Sequence, residues 1–307
     1  MTSYTAIINP VSGGGVAREK WREVEPLLRA RIGGADASAA IEAVESASAA
    51  HATELAAAAA RRGRIVVSVG GDGHTRHVAR GLVGLPDAVL GIVGAGRGND
   101  LIRHLGLPID AAGAVEVLAG RATRRIDVIS VAAAGGEAAG HQLALGNVYV
   151  GLDSRAAEGI NRSRWMGGAA YRIVPALTAL RWNPPRFTVA IDGNEVFANK
   201  AHLVVVANSG DYGNGLRIVP SADVSNGRLD VLVVGAGIPL TQLVPLMKQA
   251  KTGAHIEHPE VIQFSGSTVT VDAESPVPVH ADGDGIGELP FTATLRPAEL
   301  EVLVASA

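Results

Sequence analysis

Three glycine-rich loops, each running out of a short apolar run and into a helix-favouring stretch, constrain the fold of this chain more than any other feature. They are Asn9–Gly15 (NPVSGGG) after Tyr4–Ile8, Gly70–Gly73 (GGDG) after Ile65–Val69, and Gly94–Asp100 (GAGRGND) after Ala88–Val93. Short apolar runs bounded by turn residues read as strands buried on both faces, and strands alternating with helices read as a largely parallel α/β sheet. A further run, Ile41–Val44, completes a set of four strands, with a helix expected from about Val16 to Ala30. The Ala-rich Thr53–Arg62 stretch is a strong helix former and reads as a packing element. Glycines at the carboxyl end of a strand let backbone N–H groups approach an anion closely, and ligands of open α/β sheets bind there.

From Ile126 onward the texture changes to short β-like runs separated by Gly, Asn and Asp turns. They are Ile126–Ala132, Phe187–Ile191, His202–Ala207, Leu229–Val234, Val269–Val271 and Leu300–Val304, with helices expected at 169–180 and 238–251. The fold class expected is therefore an N-terminal three-layer α/β nucleotide-binding domain followed by a mainly β sandwich domain. The domain limits are set at 1–125, 126–292 and a terminal segment, 293–307, that returns to the first domain. A length of 307 residues is consistent with two domains.

Composition removes several function classes. With 27 Lys+Arg against 30 Asp+Glu and a net charge of -3, there is no electrostatic case for nucleic acid as the main partner. Zero Cys excludes disulfide scaffolds, thiolate metal sites and cysteine nucleophiles, and fits a reducing compartment. The opening MTSYTAIINP lacks a basic stretch before an apolar run, so no secretory signal is expected. Val231–Met247 is broken by Gly235, Gly237, Pro239 and Pro245 and falls short of the ~20 residues a spanning helix needs. A cytoplasmic protein without membrane spans is the expectation.

The chemistry concentrates in the loops. Asp72 is an acid held between glycines at a strand end, and an acid beside phosphates implies a cation, most often Mg²⁺. Arg97 has the fork geometry to clamp phosphate oxygens, while Asn99 and Asp100 either cap the next helix or contact the ligand. His255 and His258 flank Glu257, but no third ligand accompanies them and no metal is assigned there. Between 155 and 186, six arginines (155, 162, 164, 172, 181, 186) face a single opposing Glu158, with Trp165, Tyr171 and Trp182 interleaved. A solvated helix face over core aromatics accounts for that run more readily than contact with anionic lipid headgroups.

Taken in order, these motifs resemble the diacylglycerol kinase and sphingosine kinase catalytic family, particularly its small bacterial lipid kinases. The family pattern NPxSG, GGDGT with LNEVVNGL, and PxGTxND with LGxP corresponds to Asn9–Gly13, Gly70–Leu82 and Gly94–Pro108. The likeness continues through Gly151–Asp153, Asn208–Gly215, Ile218–Val231 and Asp282-Gly283-Asp284, and so covers nearly the whole chain. It implies transfer of the γ-phosphoryl group of ATP to a lipid hydroxyl, with diacylglycerol as first choice and the nucleotide in a cleft between the domains. It also implies Asp72 on the metal side with Mg²⁺, and Asp282 or Asp284 accepting the hydroxyl proton. The nucleotide side would comprise Asn9, Ser12, Gly13, Ser46, Gly70, Gly71, Asp72, Gly73, His74, Arg97, Gly98, Asn99 and Asp100. Transient contact with the inner membrane surface and a homodimer through an exposed sheet edge complete the expectation.

The departures are specific. The family Thr after GGDG is His74, the following Asn-Glu pair is Arg76-His77, and the Thr of GTxND is Arg97, which together add potential positive charge. Ser225-Asn226-Gly227 replaces the Asp-Asp-Gly of the family's regulatory metal loop. A catalytically altered nucleotide-binding protein of the same fold and a kinase for a non-lipid alcohol are the alternatives. No Gly-Lys dipeptide or His-Arg-Asp triplet occurs, which removes P-loop and protein-kinase readings.

Overall fold

The computed structural model describes residues 3–33, 41–134, 142–163, 168, 170–213 and 215–306, the side chains of 170–172 excepted. It comprises two compact units: Met1–Val128 with Gly213–Gly215 and Pro297–Ala307, and Ile129–Tyr212 with Leu216–Arg296. The divisions fall a few residues after positions 125 and 292, because both lie inside continuous strands, where composition does not change.

In the first unit, β1 (Tyr4–Ile8), β2 (Ile41–Glu45), β3 (Ile65–Gly70) and β4 (Val89–Gly94) form a parallel sheet in the order β2-β1-β3-β4. The chain's last strand adds its Glu301–Val302 end in parallel against Val89–Leu90 of β4. Every residue of β1 is buried, as helices cover the sheet. Helix α1 (Val16–Ile32) packs with α5 (Ala111–Gly120), and α2 (Ala49–Arg61) with α3 (Asp72–Arg80); α4 (Asp100–His104) is a single short turn. The alanine run of α2 has a packing explanation. Ala52, Ala56 and Ala59 form its buried stripe, and a Cβ at Gly81 would stand 2.9 Å from the Ala56 Cβ. Because β2 lies on one side of β1 and β3 on the other, the connections diverge between β1 and β3, the switch point of an open α/β sheet.

The second unit is a closed β structure built on β5 (Ala122–Ala134), β6 (Gln142–Ala144), β7 (Asn147–Gly151), β8 (Arg186–Ile191) and the long β9 (Asn194–Ala207). A small ribbon, β10 (Asp211–Tyr212) with β11 (Leu216–Arg217), precedes β12 (Leu229–Gly235), β13 (Val261–Gly266), β14 (Thr268–Ala273), β15 (Pro278–Ala281) and β16 (Asp284–Val304). β9 pairs β8 through its first half and lies between β7 and β12 through its second, so β9, β7, β15, β16, β14 and β8 close on one another. Phe187, Phe291 and Val, Leu and Ile side chains fill the interior. A second apolar cluster, with Tyr149, Val205, Leu232 and Leu246, lies between β7, β9 and β12 and helix α8 (Leu240–Gln249). Helices α6 (Leu152–Arg162) and α7 (Ala170–Leu180) pack on each other.

Candidate active site

The three glycine loops of the first unit interlock at the carboxyl ends of β1, β3 and β4. Ser12 Oγ donates to the Ala95 carbonyl at 3.3 Å, and a Cβ at Gly13 would stand 2.6 Å from that same oxygen. A Cβ at Gly96 would stand 2.5 Å from the Gly71 Cα, so the second and third loops touch backbone to backbone. Gly13, Gly14 and Gly15 all adopt positive φ, which glycine adopts without the steric cost that a Cβ brings. The result is a floor of interlocked turns at the sheet's switch point, where open α/β sheets bind ligands, with the N–H groups of Val11, Ser12, Gly14, Gly15, Ala95 and Gly96 spent within the turns.

Two carboxylates border this floor. A Cβ at Gly98 would meet Asp72 Oδ2 at 3.1 Å and Asp100 Oδ2 at 3.3 Å, which puts both acids around one glycine. Asp72 Oδ1 accepts the Leu101 N–H at 3.3 Å, so one of its oxygens secures the third loop while the other faces Gly98. Among the described residues no group of three or more His, Asp or Glu converges to hold a metal by itself. A pair of carboxylates around one glycine fits Mg²⁺, which takes one or two protein acids and completes its shell with phosphate and water.

Several expected nucleotide contacts act on the loops themselves. Asn9 Oδ1 accepts the Val11 N–H, 3.2 Å, turning the first loop. Buried Asn99, at φ 53°, accepts Gly96 N–H with Oδ1 at 2.9 Å and donates Nδ2 to the Gly96 carbonyl at 3.0 Å, folding the third loop onto itself. Ser46 follows β2 and spends its hydroxyl on the Ile8 carbonyl, 3.3 Å. The His74 ring lies under Gly70, and its Nε2 donates to the Ile7 carbonyl at 2.9 Å. Burial pulls the His74 pKa below its ordinary value, against the opposing effect of that bond. The positive charge anticipated at His74 is therefore disfavoured, and Arg76 is buried as well. Arg97 stays exposed at the loop tip.

In the second unit, Asp282 and Gly283 form the two-residue turn between β15 and β16, both at positive φ as the favoured hairpin turn requires. The Asp282 carboxylate is held by main chain. Oδ2 accepts Leu145 N–H at 2.7 Å, and Oδ1 accepts Gly146 and Asn147 N–H at 2.9 and 3.0 Å. Asn208 grips the 145–147 segment that donates to Asp282, giving its backbone N–H to the Gly146 carbonyl and Nδ2 to the Leu145 carbonyl, each at 2.8 Å. Asp284 opens β16, opposite Ala281. The 145–147 turn escaped sequence reasoning, although its Gly146-Asn147 pair is a turn signal.

Asp153 starts α6, and one oxygen accepts the Tyr212 hydroxyl at 3.2 Å; the Tyr212 ring meets Tyr149 edge-on at 5.0 Å. Burial raises the pKa of Asp153 and of both tyrosines. Asp153 and Tyr212 form part of the wall of a cavity of about 60 Å³ otherwise lined chiefly by carbon, including Leu152, Val234, Leu246 and Met247. The acids of the 223–230 loop are engaged locally: Asp223 accepts from Ser225, and Asp230 from Ser221 with Arg228 at 3.5 Å. His255 is buried, with Nε2 donating to the Ile218 carbonyl. Arg164 and Trp165 lie outside the described residues.

Residues 3–131 match the diacylglycerol kinase catalytic domain family, and residues 146–304 match the YegS C-terminal NAD kinase beta sandwich-like domain. A diacylglycerol kinase of Mycobacterium tuberculosis is 33% identical over 312 residues, covering 97% of this chain and 94% of its own. The chain belongs to the diacylglycerol kinase family. It is a phosphotransferase of that type, and the family implies the use of ATP. The fold is shared with solved structures of low sequence identity. A diacylglycerol kinase structure from Bacillus anthracis superposes with a TM-score of 0.70 at 18% identity, covering 98% of this chain and 96% of that one. An ATP-bound NAD kinase from Archaeoglobus fulgidus gives 0.50 at 15% identity, covering 99% and 93%. Among the described residues no helix of this kinase is long and apolar enough to cross a membrane.

Proposed function

We propose that this kinase transfers the γ-phosphoryl group of ATP to the hydroxyl of a membrane lipid, diacylglycerol in the first place, in brief contact with the inner membrane surface. The observation that carries the lipid reading is the cavity of the second unit, carbon-lined except for the Asp153–Tyr212 pair and the imidazoles of His202 and His255. At about 60 Å³ the cavity would take only the polar end and first carbons of an acceptor that carries one polar group on a hydrocarbon body, and its wall matches that end. The triphosphate would lie on the interlocked glycine loops of the first unit, against the N-terminus of α3 that begins at Asp72. Asp72 and Asp100 would hold Mg²⁺, which neutralises charge on the phosphate oxygens during transfer.

The acceptor hydroxyl oxygen forms a bond to the γ-phosphorus while the bond from that phosphorus to the β–γ bridging oxygen breaks, and ADP leaves with that electron pair. The hydroxyl proton passes to a carboxylate of the Asp282-Gly283-Asp284 turn. Both oxygens of Asp282 already accept main-chain N–H groups, which supports Asp284 as the proton acceptor and Asp282 as the residue that positions it. The test is transfer of labelled γ-phosphate from ATP and Mg²⁺ to diacylglycerol in mixed micelles, with NAD as a parallel acceptor. Label in the lipid, lost in Asp72→Ala and Asp284→Asn, is the expected result. Label only in NAD, or in neither acceptor, overturns the reading.

A further inference from the structure

Tyr149 stands in the middle of a short segment that touches both the acid turn and the acceptor cavity. In β7 its neighbours Val148 and Val150 turn into the sandwich interior, while Tyr149 turns to the other face, into the cluster with Leu203, Val205 and Leu232. Two residues before it, Asn147 gives its main-chain N–H to Asp282 Oδ1 and accepts the Asp282 N–H at its carbonyl, both at 3.0 Å. Four residues after it, Asp153 enters the first turn of α6 and the wall of the cavity.

The side chain of Tyr149 reaches in both directions. Across the antiparallel pair of β7 and β15 it lies opposite His280, two residues before Asp282, and the two rings are 5.6 Å apart at 32°. On its other side the Tyr212 ring meets it edge-on at 5.0 Å. The Tyr212 hydroxyl donates to Asp153 Oδ2, so the hydroxyl of Tyr149 donates to the Tyr212 oxygen. Burial, and then the charges of Asp153, Asp282 and Asp284, push the Tyr149 pKa up, which keeps this hydroxyl a neutral donor. A valine like its strand neighbours would serve an apolar cluster. A buried phenol needs a polar partner, and here that partner is the group that holds the carboxylate of the cavity wall.

We propose that Tyr149 is a positioning residue for the transfer, fixing Asp153 against the polar end of the acceptor through Tyr212 and steadying the acid turn through His280. The inference rests on the lipid-acceptor reading, because it takes the cavity as the site of the acceptor's polar end. In-line transfer needs the acceptor hydroxyl and the Asp284 carboxylate at a set separation, and a misplacement of about 1 Å can cost roughly a hundredfold in rate. Segment 147–153 sets that separation with one strand and one aromatic side chain.

The test is steady-state phosphoryl transfer from ATP to dioctanoylglycerol in mixed micelles by wild type, Tyr149→Phe, Tyr149→Leu, Tyr212→Phe and the Tyr149→Phe, Tyr212→Phe double variant. Tyr149→Phe should raise the acceptor KM by roughly three- to tenfold, the loss of one buried hydrogen bond, and leave kcat and the ATP KM within about twofold of wild type. In the Tyr212→Phe background the same substitution should add less than about twofold, since the chain to Asp153 is already broken. Tyr149→Leu also removes the ring beside His280 and should lower kcat at least roughly threefold. A Tyr149→Phe enzyme with wild-type acceptor KM, an equal effect in both backgrounds, or a Tyr149→Leu enzyme of full kcat overturns the role. A Tyr149→Phe enzyme whose melting temperature falls while both KM values rise has lost a structural residue, which overturns it too. A wild type that phosphorylates no lipid rejects the lipid reading and this role with it, whereas an active wild type with unaffected variants rejects the role alone.

Discussion

Replacing Asp282 by Asn separates a positioning role from a chemical one. The carboxylate accepts three main-chain N–H groups from consecutive residues, Leu145, Gly146 and Asn147, at 2.7 to 3.0 Å. An asparagine keeps one oxygen, which can serve the Gly146 and Asn147 donors, but it turns an NH₂ group toward the Leu145 N–H. One charge-assisted bond is lost, the other two lose their charge, and a donor faces a donor. With such bonds worth about 1.5–3 kcal/mol each, the net cost should be about 3 kcal/mol. For a unit of this size that lowers the melting temperature by roughly 6–12 °C. Asp284→Asn should cost less than about 1 kcal/mol while reducing kcat by roughly 10²–10⁴-fold, the range of a lost general base. Differential scanning calorimetry read beside single-turnover phosphoryl transfer checks both. An Asp282→Asn protein that melts with wild type, or an Asp284→Asn protein of full kcat, refutes the division of labour.

Gly96→Ala should weaken ATP binding at least tenfold by calorimetric titration and cost about 1–3 kcal/mol, because its Cβ would meet the Gly71 Cα at 2.5 Å and Asn99 Oδ1 at 2.9 Å. Tyr212→Phe should cost about 1 kcal/mol in a denaturant melt, as it removes the hydroxyl donated to Asp153. Burial lowers the pKa of both His74 and His255 from 6.5, so between the lowered and ordinary values the unfolded chain binds more protons than the folded one. Their contribution to stability is therefore complete above about pH 6.5 and is lost as pH falls from there through the lowered folded-state value. Asp153, whose pKa burial raises from 3.8, acts with the opposite sign, favouring the fold at low pH. Melting temperature against pH for wild type and a His74→Gln, His255→Gln double variant isolates the histidine part, and equal slopes would refute it.

The first unit was largely legible because each of its signals is local. The runs 4–8, 41–44, 65–69 and 88–93 became β1 to β4 with ends shifted by a residue or so, since a parallel strand covered on both faces is a continuous apolar run. In the second unit, β6, β7, β10, β11, β13, β15 and α6 went unread. Gln263 and Ser265 give β13 the alternation of a half-exposed strand too short to stand out, and α6 has only Leu152 and Ile160 as large apolar side chains, beside two Ala and a Gly. The roles of Asp282 and Asn99 were hidden for a different reason. An Asp or Asn in a glycine loop looks alike whether it faces a ligand or its own backbone, and only the hydrogen-bond partners separate the two.

His74 shows where family likeness and local physics part. At a position where the family pattern carries threonine, a histidine invites the reading of an added positive charge beside phosphate, yet its ring lies beneath Gly70 and bonds to Ile7. Ile7 is one residue from the end of β1, which leads into the first glycine loop, and His74 stands on the first turn of α3, which follows the second. The ring is therefore a strut joining the roots of two of the three loops, and its neutral form is the one that burial favours. A threonine there would be too short to reach the Ile7 carbonyl and would leave space under Gly70. His74→Thr should accordingly cost about 1–3 kcal/mol of stability, from the lost buried bond and the void, while ATP affinity falls by less than roughly tenfold, about 1.4 kcal/mol. A charge-bearing contact would behave the other way round, with affinity collapsing and growing steeply salt-sensitive while the melting temperature held. That second pattern, seen by titrating ATP at two salt concentrations, would return the ring to the ligand side of the loops and restore the altered-nucleotide reading of this kinase.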